Sequence, residues 1–185
     1  MSITTLDPRT ALIIIDLQKG IVSLPVVHPT SPVIAGCNTL IGAFRARGLP
    51  VVLVNVTGGA PGRNEQGGGH AAPPADWADL VPELDVQAGD ILISKQTWGA
   101  FTNTTLEAQL RDLGVTQVVI AGIATSIGVE STARQAWELG LNVTLAVDAM
   151  TDLNMDTHEN SVKLIFPRLG ETGTVADVVG KLAAA

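Results

Sequence analysis

The sequence predicts an α/β fold: a single-domain, three-layer sandwich around a six-stranded parallel sheet of Rossmann type. Strand-like runs rich in Val, Ile and Leu recur along the chain. They lack the polar–apolar alternation of half-exposed strands, which is typical of strands covered on both faces. Segments with the length and periodicity of helices separate these runs. Regular alternation of strands and helices builds a doubly wound sheet with helices on both faces.

The elements follow in order from these patterns. The apolar runs predict strands at 11–16, 51–57, 90–95, 117–123 and 142–148, with a short sixth strand near 169–172. The periodic segments predict helices at 32–47, 104–113, 127–139, 156–166 and 174–182. Gly48, Gly114 and Gly140 each stand where a helix C-cap is expected.

Composition limits the possible functions. A chain of 185 residues is expected to form one domain, 1–185, with a single well-packed core. A net charge of −7 argues against nucleic-acid and membrane partners. A lone cysteine, Cys37, rules out a disulfide framework and fits a reducing compartment. The N-terminus lacks the pattern of a secretory signal, so we expect a cytoplasmic protein.

The segment from Gly58 to Gly89 is the irregular part of the chain, since it is rich in Gly and Pro and shows no regular element. It leaves the C-terminal end of the second predicted strand, on the side where open α/β sheets bind ligands. We therefore interpret it as a cover over a substrate, with a flexible surface insertion as the alternative. It offers the side chains of Arg63, Gln66, His70 and Trp77.

Three predicted strands end in groups that can carry chemistry. Asp16 follows a run of apolar residues, Lys95 ends the third strand, and the turn from Gly122 to Gly128 joins the fourth strand to a helix. Parallel strands place these ends at one edge, so an acid, a cation and a helix N-terminus are expected to share one pocket. Asp16 could instead cap the following loop, and Lys95 could be an ordinary solvated lysine.

Three separated motifs resemble the isochorismatase-like (cysteine hydrolase) superfamily over nearly the whole chain. The first motif is Thr10-Ala-Leu-Ile-Ile-Ile-Asp-Leu-Gln18. The second is Lys95-Gln-Thr-Trp-Gly-Ala-Phe101, with Thr104 and Leu106 after it. The third runs from Gly122-Ile-Ala-Thr125 through Val129-Glu-Ser-Thr-Ala-Arg-Gln-Ala136 and is followed by Asp148-Ala149 and His158. The resemblance implies a cis peptide near Ile123–Ala124 and a homodimer or higher homo-oligomer. It also implies an Asp–Lys–Cys triad of the kind that amidases of this superfamily use.

Asp16 and Lys95 match the first two members of that triad, and the third falls on Gly128. Glycine cannot form the thioester that amide hydrolysis in this family requires. Cys37 is predicted to be a buried core thiol rather than a displaced nucleophile. Metal-using members carry an Asp-x-His pair where this chain reads Asn55-Val-Thr57, so neither a metal nor another cofactor is expected.

The chain resembles true isochorismatases, which keep the Asp and the Lys and carry Gly at the third position. That resemblance implies hydrolysis of an enol ether in an anionic, isochorismate-like substrate, with Asp16 as the general acid. Lys95 would hold a substrate carboxylate or the leaving oxygen, and the amides of Ile127 and Gly128 would bind an anionic oxygen. The other predicted substrate-binding residues are Gln18, Arg63, Trp98 and Phe101. Arg63 could instead be a solvated loop arginine, and the two aromatic residues could instead pack in the core.

Two other functions stay open at this point. Ala124-Thr-Ser126-Ile-Gly128 approaches a nucleophile elbow, and Asp148 and His158 follow Ser126 in the order of an α/β-hydrolase triad. Alternatively, the chain is a family member that lost its activity and binds small anions or serves as a scaffold. Arg134, two turns into its helix, is interpreted as structural.

Overall fold

The computed structural model describes residues 3–65 and 73–184 and confirms the predicted α/β architecture. Six parallel strands form one sheet in the order β3-β2-β1-β4-β5-β6. The strands are β1 (Thr10–Ile15), β2 (Val51–Val56), β3 (Ile91–Lys95), β4 (Gln117–Ile123), β5 (Asn142–Thr151) and β6 (Glu171–Gly173). The chain leaves β1 in one direction to build β2 and β3, and then returns to the other side of β1 to build β4.

The helices cover both faces of the sheet. They are α1 (Lys19–Val22), α2 (Thr30–Ala46), α3 (Leu106–Asp112), α4 (Glu130–Glu138), α5 (Met155–Asn160), α6 (Phe166–Leu169) and α7 (Val175–Ala184). A π-helical turn at Thr125–Val129 leads into α4, and a second one at Ser161–Ile165 joins α5 to α6. In the described parts of the chain, no helix is both long and apolar enough to cross a membrane.

Alternate residues of the central strand β1 supply two separate cores. Leu12 and Ile14 face a core formed with α2 and α7. Ile13 and Ile15 face a second core formed with α3, α4 and α6. Every residue of β1 and β4 is buried, because both faces of these strands are covered.

The observed elements differ from the predicted ones mainly at their ends. β5 runs on to Thr151, three residues past its predicted end, and its register with β4 shifts between Ile120 and Gly122. Leu169, predicted as the start of the sixth strand, is the last residue of α6. The short helix α1 was not predicted, since four residues are too few to give a periodic signal.

The long segment after β2 is irregular wherever the structure describes it, as the sequence predicts. Its second half runs back over the residues that follow β1. Val81 N donates to Leu17 O, Lys19 N donates to Asp79 O, and Gln18 pairs with Leu80 as an isolated antiparallel bridge. This pairing fixes the segment beside the C-terminal edge of the sheet.

Candidate active site

The candidate site lies at the C-terminal edge of the sheet, between β1 and β4, where the direction of strand order reverses. Open α/β sheets bind ligands at such a switch point because the two connecting segments diverge there and leave a crevice. Asp16, the residue directly after β1, adopts a left-handed backbone conformation with φ of 52°. Asp tolerates this conformation better than most residues. Its amide still donates to Val54 O at 2.9 Å, so the carboxylate is held at the end of the strand.

Asp16 and Lys95 form a buried ion pair. Lys95 Nζ lies 2.7 Å from Asp16 Oδ2 and also donates to Thr97 O at 3.2 Å. The side chains are 7% and 2% exposed, respectively, so the pair is almost fully removed from water. Asp16 Oδ1 is buried and accepts no hydrogen bond from any described residue. One carboxylate oxygen is therefore committed to the lysine, while the other is unpaired.

Burial raises the pKa of Asp16 from 3.8 to about 6, although the charge of Lys95 and its hydrogen bond act in the opposite direction. The sequence could not show which of these effects is larger, and the structure shows that desolvation is. A carboxyl group with this pKa keeps a useful protonated fraction near neutral pH. It can therefore give up a proton and recover it at physiological pH.

Gly128 lies directly above the Asp16 carboxylate. A Cβ atom built on Gly128 would stand 3.1 Å from Asp16 Oδ2 and 2.8 Å from Ile15 Cγ2. Any side chain at this position would therefore press on the end of β1 and point at the carboxylate. Because Gly128 has no side chain, the turn can lie this close to Asp16 and to the end of β1.

The turn that carries Gly128 has a constrained backbone. The Ile123–Ala124 peptide is cis, as the family resemblance implies. Gly122 has φ of 119°, and a Cβ there would overlap the backbone oxygen of Ile15. Only glycine allows β4 to lie this close to β1 at the site.

A cavity of about 200 Å³ opens above the ion pair. Its walls come from the ends of β1, β2, β3 and β4, from the segments that follow them, and from the segment after β5. Most of the wall is apolar and includes Ile21, Leu24, Trp77, Ile127 and Leu153. Asp16 and Lys95 are the ionisable groups that line it within the described parts of the chain. The cavity therefore surrounds one acid–base pair with a largely apolar wall.

Trp98 and Phe101, the two aromatic residues predicted to bind substrate, lie in different parts of the structure. Trp98 lines the cavity and is 67% exposed, so its indole stands at the rim. Phe101 is buried in the core between the sheet and α3 and is absent from the cavity wall. Its placement corrects the prediction of a substrate contact. The Phe101 amide donates to Gln135 Oε1 at 3.0 Å, which fastens this loop to α4.

Gln18 also differs from its predicted role. It is fully buried, and its side-chain amide donates to Val56 O and Trp77 O, while its Oε1 accepts from Val56 N at 2.7 Å. The side chain is thus occupied by the backbone and is absent from the cavity wall. We assign to Gln18 the positioning of Trp77, whose indole packs so closely on Gly20 that a Cβ there would overlap it.

Of the side chains that the long segment was predicted to offer, the structure places one at the cavity. Arg63 is exposed and does not line the cavity. Gln66 and His70 lie outside the described residues. Trp77, the remaining side chain that the long segment was predicted to offer, does line the cavity.

The amides of the turn are mostly engaged within the protein. Ile127 N and Val129 N both donate to Ala124 O at 3.1 Å. Ser126 N donates to Asp152 Oδ2 at 2.6 Å. The predicted anion site therefore lacks the Ile127 amide, because the π-helical turn uses that donor, and Ile127 contributes its apolar side chain to the wall instead.

The structure does not assemble a Ser126 triad. His158 Nδ1 lies 2.9 Å from Thr125 Oγ1, and Thr125 Oγ1 also bonds to Thr151 O at 3.0 Å. A carbonyl oxygen only accepts, so the threonine hydroxyl donates to it and accepts from the imidazole. Asp148, the predicted third member, accepts from Val175 N at the start of α7. Both partners of the proposed nucleophile are thus engaged elsewhere.

Several residues that position the site carry no sequence signal that predicted them. Asp152 holds the turn through Ser126 N, and Thr132 Oγ1 donates to Gly128 O at 2.7 Å while it accepts from Ala100 N. Leu153 lines the cavity. Asp152 could have been found by the signal that identified Asp16, a carboxylate directly after an apolar strand, had β5 been given its full length.

Cys37 lies on α2 within the core that faces α7, fully buried, with its Sγ 3.7 Å from Ala149 O. Burial, with a smaller contribution from the negative charge of Asp148, raises the pKa of this thiol above its ordinary value. It is also absent from the cavity wall. The prediction of a structural thiol agrees with this placement.

A larger cleft of about 410 Å³ opens at the opposite edge of the sheet, near the first residues of β4, β5 and β6. Its acidic groups are already paired: Asp7 accepts from Thr116 and Asn142, and Glu171 accepts from Thr4. Although this cleft is larger than the cavity above Asp16 and Lys95, its acidic groups are occupied, so it is the weaker candidate for an active site.

Comparison with known proteins decides the family. The profile of the isochorismatase domain matches residues 10–177, which include all six strands and both residues of the Asp16–Lys95 pair. The chain belongs to the isochorismatase family of hydrolases. The expectation drawn from the three sequence motifs is confirmed.

Individual relatives agree with this assignment. The isochorismatase family protein YwoC of Bacillus subtilis (strain 168) is 42% identical over 176 residues, covering 91% of this chain and 92% of YwoC. An isochorismatase family protein from Burkholderia thailandensis has a structure with a TM-score of 0.94 and 41% identity, covering 98% of this chain and all of that one. The ureidoacrylate amidohydrolase RutB of Pantoea ananatis (strain LMG 20103) is 34% identical over 163 residues, covering 71% of this chain and 64% of RutB.

Proposed function

We propose that this family member hydrolyses an enol ether of an anionic substrate, with Asp16 as general acid and without a covalent intermediate. The observation that carries the proposal is the position of Gly128 over a buried carboxyl group that can be protonated. A Cβ at residue 128 would point at Asp16 Oδ2 from 3.1 Å, so this is the place where a nucleophilic side chain would act. The chain has none there.

The reaction needs a proton donor and a water molecule, and the site can supply the first. The Asp16 carboxyl gives its proton to the terminal carbon of the double bond, which leaves an oxocarbenium ion. Water adds to the cationic carbon and returns a proton to the carboxylate. The resulting hemiketal collapses to an alcohol and a keto acid, so the ether and one water are consumed and Asp16 is regenerated.

The pKa of about 6 suits this role, since roughly a tenth of the Asp16 groups carry the proton at pH 7. An anionic substrate beside the carboxylate would raise that fraction further. Lys95 Nζ is close enough to Asp16 to attract a substrate carboxylate to the same end of the cavity. The unpaired Asp16 Oδ1 is free of competing protein donors among the described residues.

Amide hydrolysis is the competing activity, and the name of RutB makes it a reasonable alternative. Against it stands the distance of the only thiol from the site, since Cys37 is buried on α2 and lines no part of the cavity. The ether chemistry uses the groups that are present.

The test is release of a keto acid from isochorismate and from simple 2-alkoxyacrylates, followed with lactate dehydrogenase and NADH. We expect turnover by the wild type and a decrease in kcat/KM of about 100-fold or more in Asp16→Asn, in line with the usual contribution of a general acid. Asp148→Asn is the matched control, because Asp148 is exposed and only accepts a bond from Val175 N. Its activity should equal that of the wild type.

Full activity of Asp16→Asn would exclude the acid role. Absence of turnover on every ether would exclude the activity, and retained binding of the same anions would then favour an anion-binding scaffold. Turnover of simple amides that survives in Asp16→Asn would instead support a nucleophile that the structure does not place in the cavity.

A further inference from the structure

The charges around the cavity limit what it can bind. The chain has 11 lysines and arginines, and all of them fall within the described residues. Of these, Lys95 is the one that lines the cavity. Its ammonium group is already matched by Asp16 at 2.7 Å, so the pair carries no net charge when Asp16 is ionised and a single positive charge when it is protonated.

Among the described residues, the rest of the wall offers no second cation to match another negative charge. Apart from the pair and Thr97, the described part of the wall is formed by apolar side chains and by glycine and alanine. Leu24, Trp98 and Leu153 continue this apolar surface to the exposed rim. A carboxylate placed against these residues would lose its water without gaining a partner, which is costly. Lys19, the cation nearest in sequence to Asp16, is held by Asp76 and Asp79.

We infer that the cavity selects a substrate with one negative charge at the Asp16–Lys95 end and an apolar body that reaches the rim at Leu153 and Trp98. A dicarboxylate such as isochorismate is then a poor ligand, and an enol ether with a single carboxylate and an aliphatic or aromatic alcohol part is a good one. The volume of about 200 Å³ equals that of about seven water molecules, which suits a single small ring or a short chain. This inference rests on the proposed function for the identity of the reacting bond, but it makes a claim about binding alone.

Binding can be measured with unreactive probes through tryptophan fluorescence. Trp77 and Trp98 line the cavity, whereas Trp137 lies at the opposite cleft, so Trp137→Phe removes the background signal. In that variant we would titrate benzoate, phthalate and acetate at constant ionic strength. Benzoate carries one negative charge on an apolar ring, phthalate carries two on the same ring, and acetate carries one charge without a ring.

We expect benzoate to bind at least tenfold more tightly than phthalate and at least tenfold more tightly than acetate. Added in the same background, Leu153→Lys should supply the missing second cation and strengthen phthalate binding about tenfold, with little change for benzoate. Leu164→Lys is the matched control, because Leu164 is 59% exposed but lines no part of the cavity. It should leave all three affinities unchanged.

Phthalate binding as tight as benzoate binding would overturn the inference, and so would the absence of saturable benzoate binding. Tight phthalate binding that is lost in Arg63→Ala would overturn it as well, since it would show that the exposed loop arginine reaches the ligand. If benzoate binds as expected but no enol ether is hydrolysed, the proposed function fails while the selectivity for one charge stands.

Discussion

Gly128 and Cys37 differ in almost every respect that matters for nucleophilic chemistry. Gly128 lies at the C-terminal edge of the sheet, above an acid–base pair and beside an open cavity, and has no side chain. Cys37 has a reactive side-chain type but is buried on the helix α2, where its environment disfavours the thiolate. A cysteine in a sequence therefore says little about mechanism until its position relative to the strand ends is known.

The comparison can first be tested at the lysine that pairs with Asp16. Lys95→Met removes the positive charge that lowers the pKa of Asp16, so that pKa should rise above 6. A general acid acts in its protonated form, so kcat/KM of the wild type should be level below pH 6 and fall above it. In the variant this fall should begin at higher pH. The kcat/KM of the variant should also be about 100-fold to 1,000-fold lower than that of the wild type, because the charged partner is lost. A pH–rate profile of both proteins checks this.

A fall that begins at lower pH in Lys95→Met would contradict the assignment of Asp16 as the acid. Thermal unfolding followed by circular dichroism at each pH separates lost activity from lost structure. The variant leaves Asp16 buried without its cation, and protonation of the carboxyl relieves this, so it should be most stable at the acid end of the range.

The second test places a side chain at Gly128. In Gly128→Ala the new methyl group meets Ile15 Cγ2 at 2.8 Å and Asp16 Oδ2 at 3.1 Å, so the carboxylate or the strand end must move. We expect kcat/KM to fall about tenfold to 100-fold, since small displacements of a catalytic group have effects of this size. Gly42→Ala is the control, because a Cβ there meets no atom within 4 Å and the residue lies within α2. Equal activity in the two variants would show that the close approach of Gly128 to Asp16 has no function.

The third test concerns His158, which supports the turn that carries Gly128. His158 Nδ1 bonds to Thr125 Oγ1 at 2.9 Å, and the pKa of His158 is lowered, by burial and then by the neighbouring His28, which favours the neutral ring. His158→Ala removes one hydrogen bond, worth about 1 kcal/mol, so we expect kcat to fall roughly fivefold with KM unchanged. His158→Asn can restore a donor and should recover part of the loss. Steady-state kinetics of both variants measures this, and an increase in KM alone would contradict a positioning role.

The smallest effect is expected at the thiol. Cys37→Ala should leave kcat/KM unchanged and should lower the free energy of unfolding by about 1 kcal/mol, since it removes one buried atom from the core. Denaturant unfolding and the keto-acid assay measure the two quantities. Lost activity in a variant that is still folded would mean that the thiol takes part in the reaction, and the contrast between the two residues would then disappear.

Much of this fold could be predicted from local sequence. The apolar runs of β1 and β4 are buried on both faces, so their pattern had one interpretation, and the ends of parallel strands necessarily meet at one edge. For this reason Asp16 and Lys95 could be brought together without a structure. The pKa of Asp16 could not be predicted from the sequence, because it depends on the balance of burial and charge in the folded protein.

The side chains on loops were predicted less well. Phe101 and Trp98 stand three residues apart in one motif, yet one enters the core and the other reaches the rim, because Thr132 and Gln135 of α4 fix the loop between them. Gln18 lies two residues after Asp16, but its side chain bonds to the backbone of Val56 at the end of β2 and to Trp77 O in the long segment. These outcomes depend on contacts between residues far apart in the chain, which a local pattern does not contain.

The most direct measurement of the central claim is the fate of the ether oxygen when the reaction is run in H₂¹⁸O with a 2-alkoxyacrylate. Protonation at carbon followed by addition of water to the oxocarbenium ion leaves the original oxygen on the alcohol. Mass spectrometry should therefore find the alcohol unlabelled, and its release should be lost in Asp16→Asn. Heavy oxygen in the alcohol, or its undiminished release by the Asp16→Asn variant, would contradict the account.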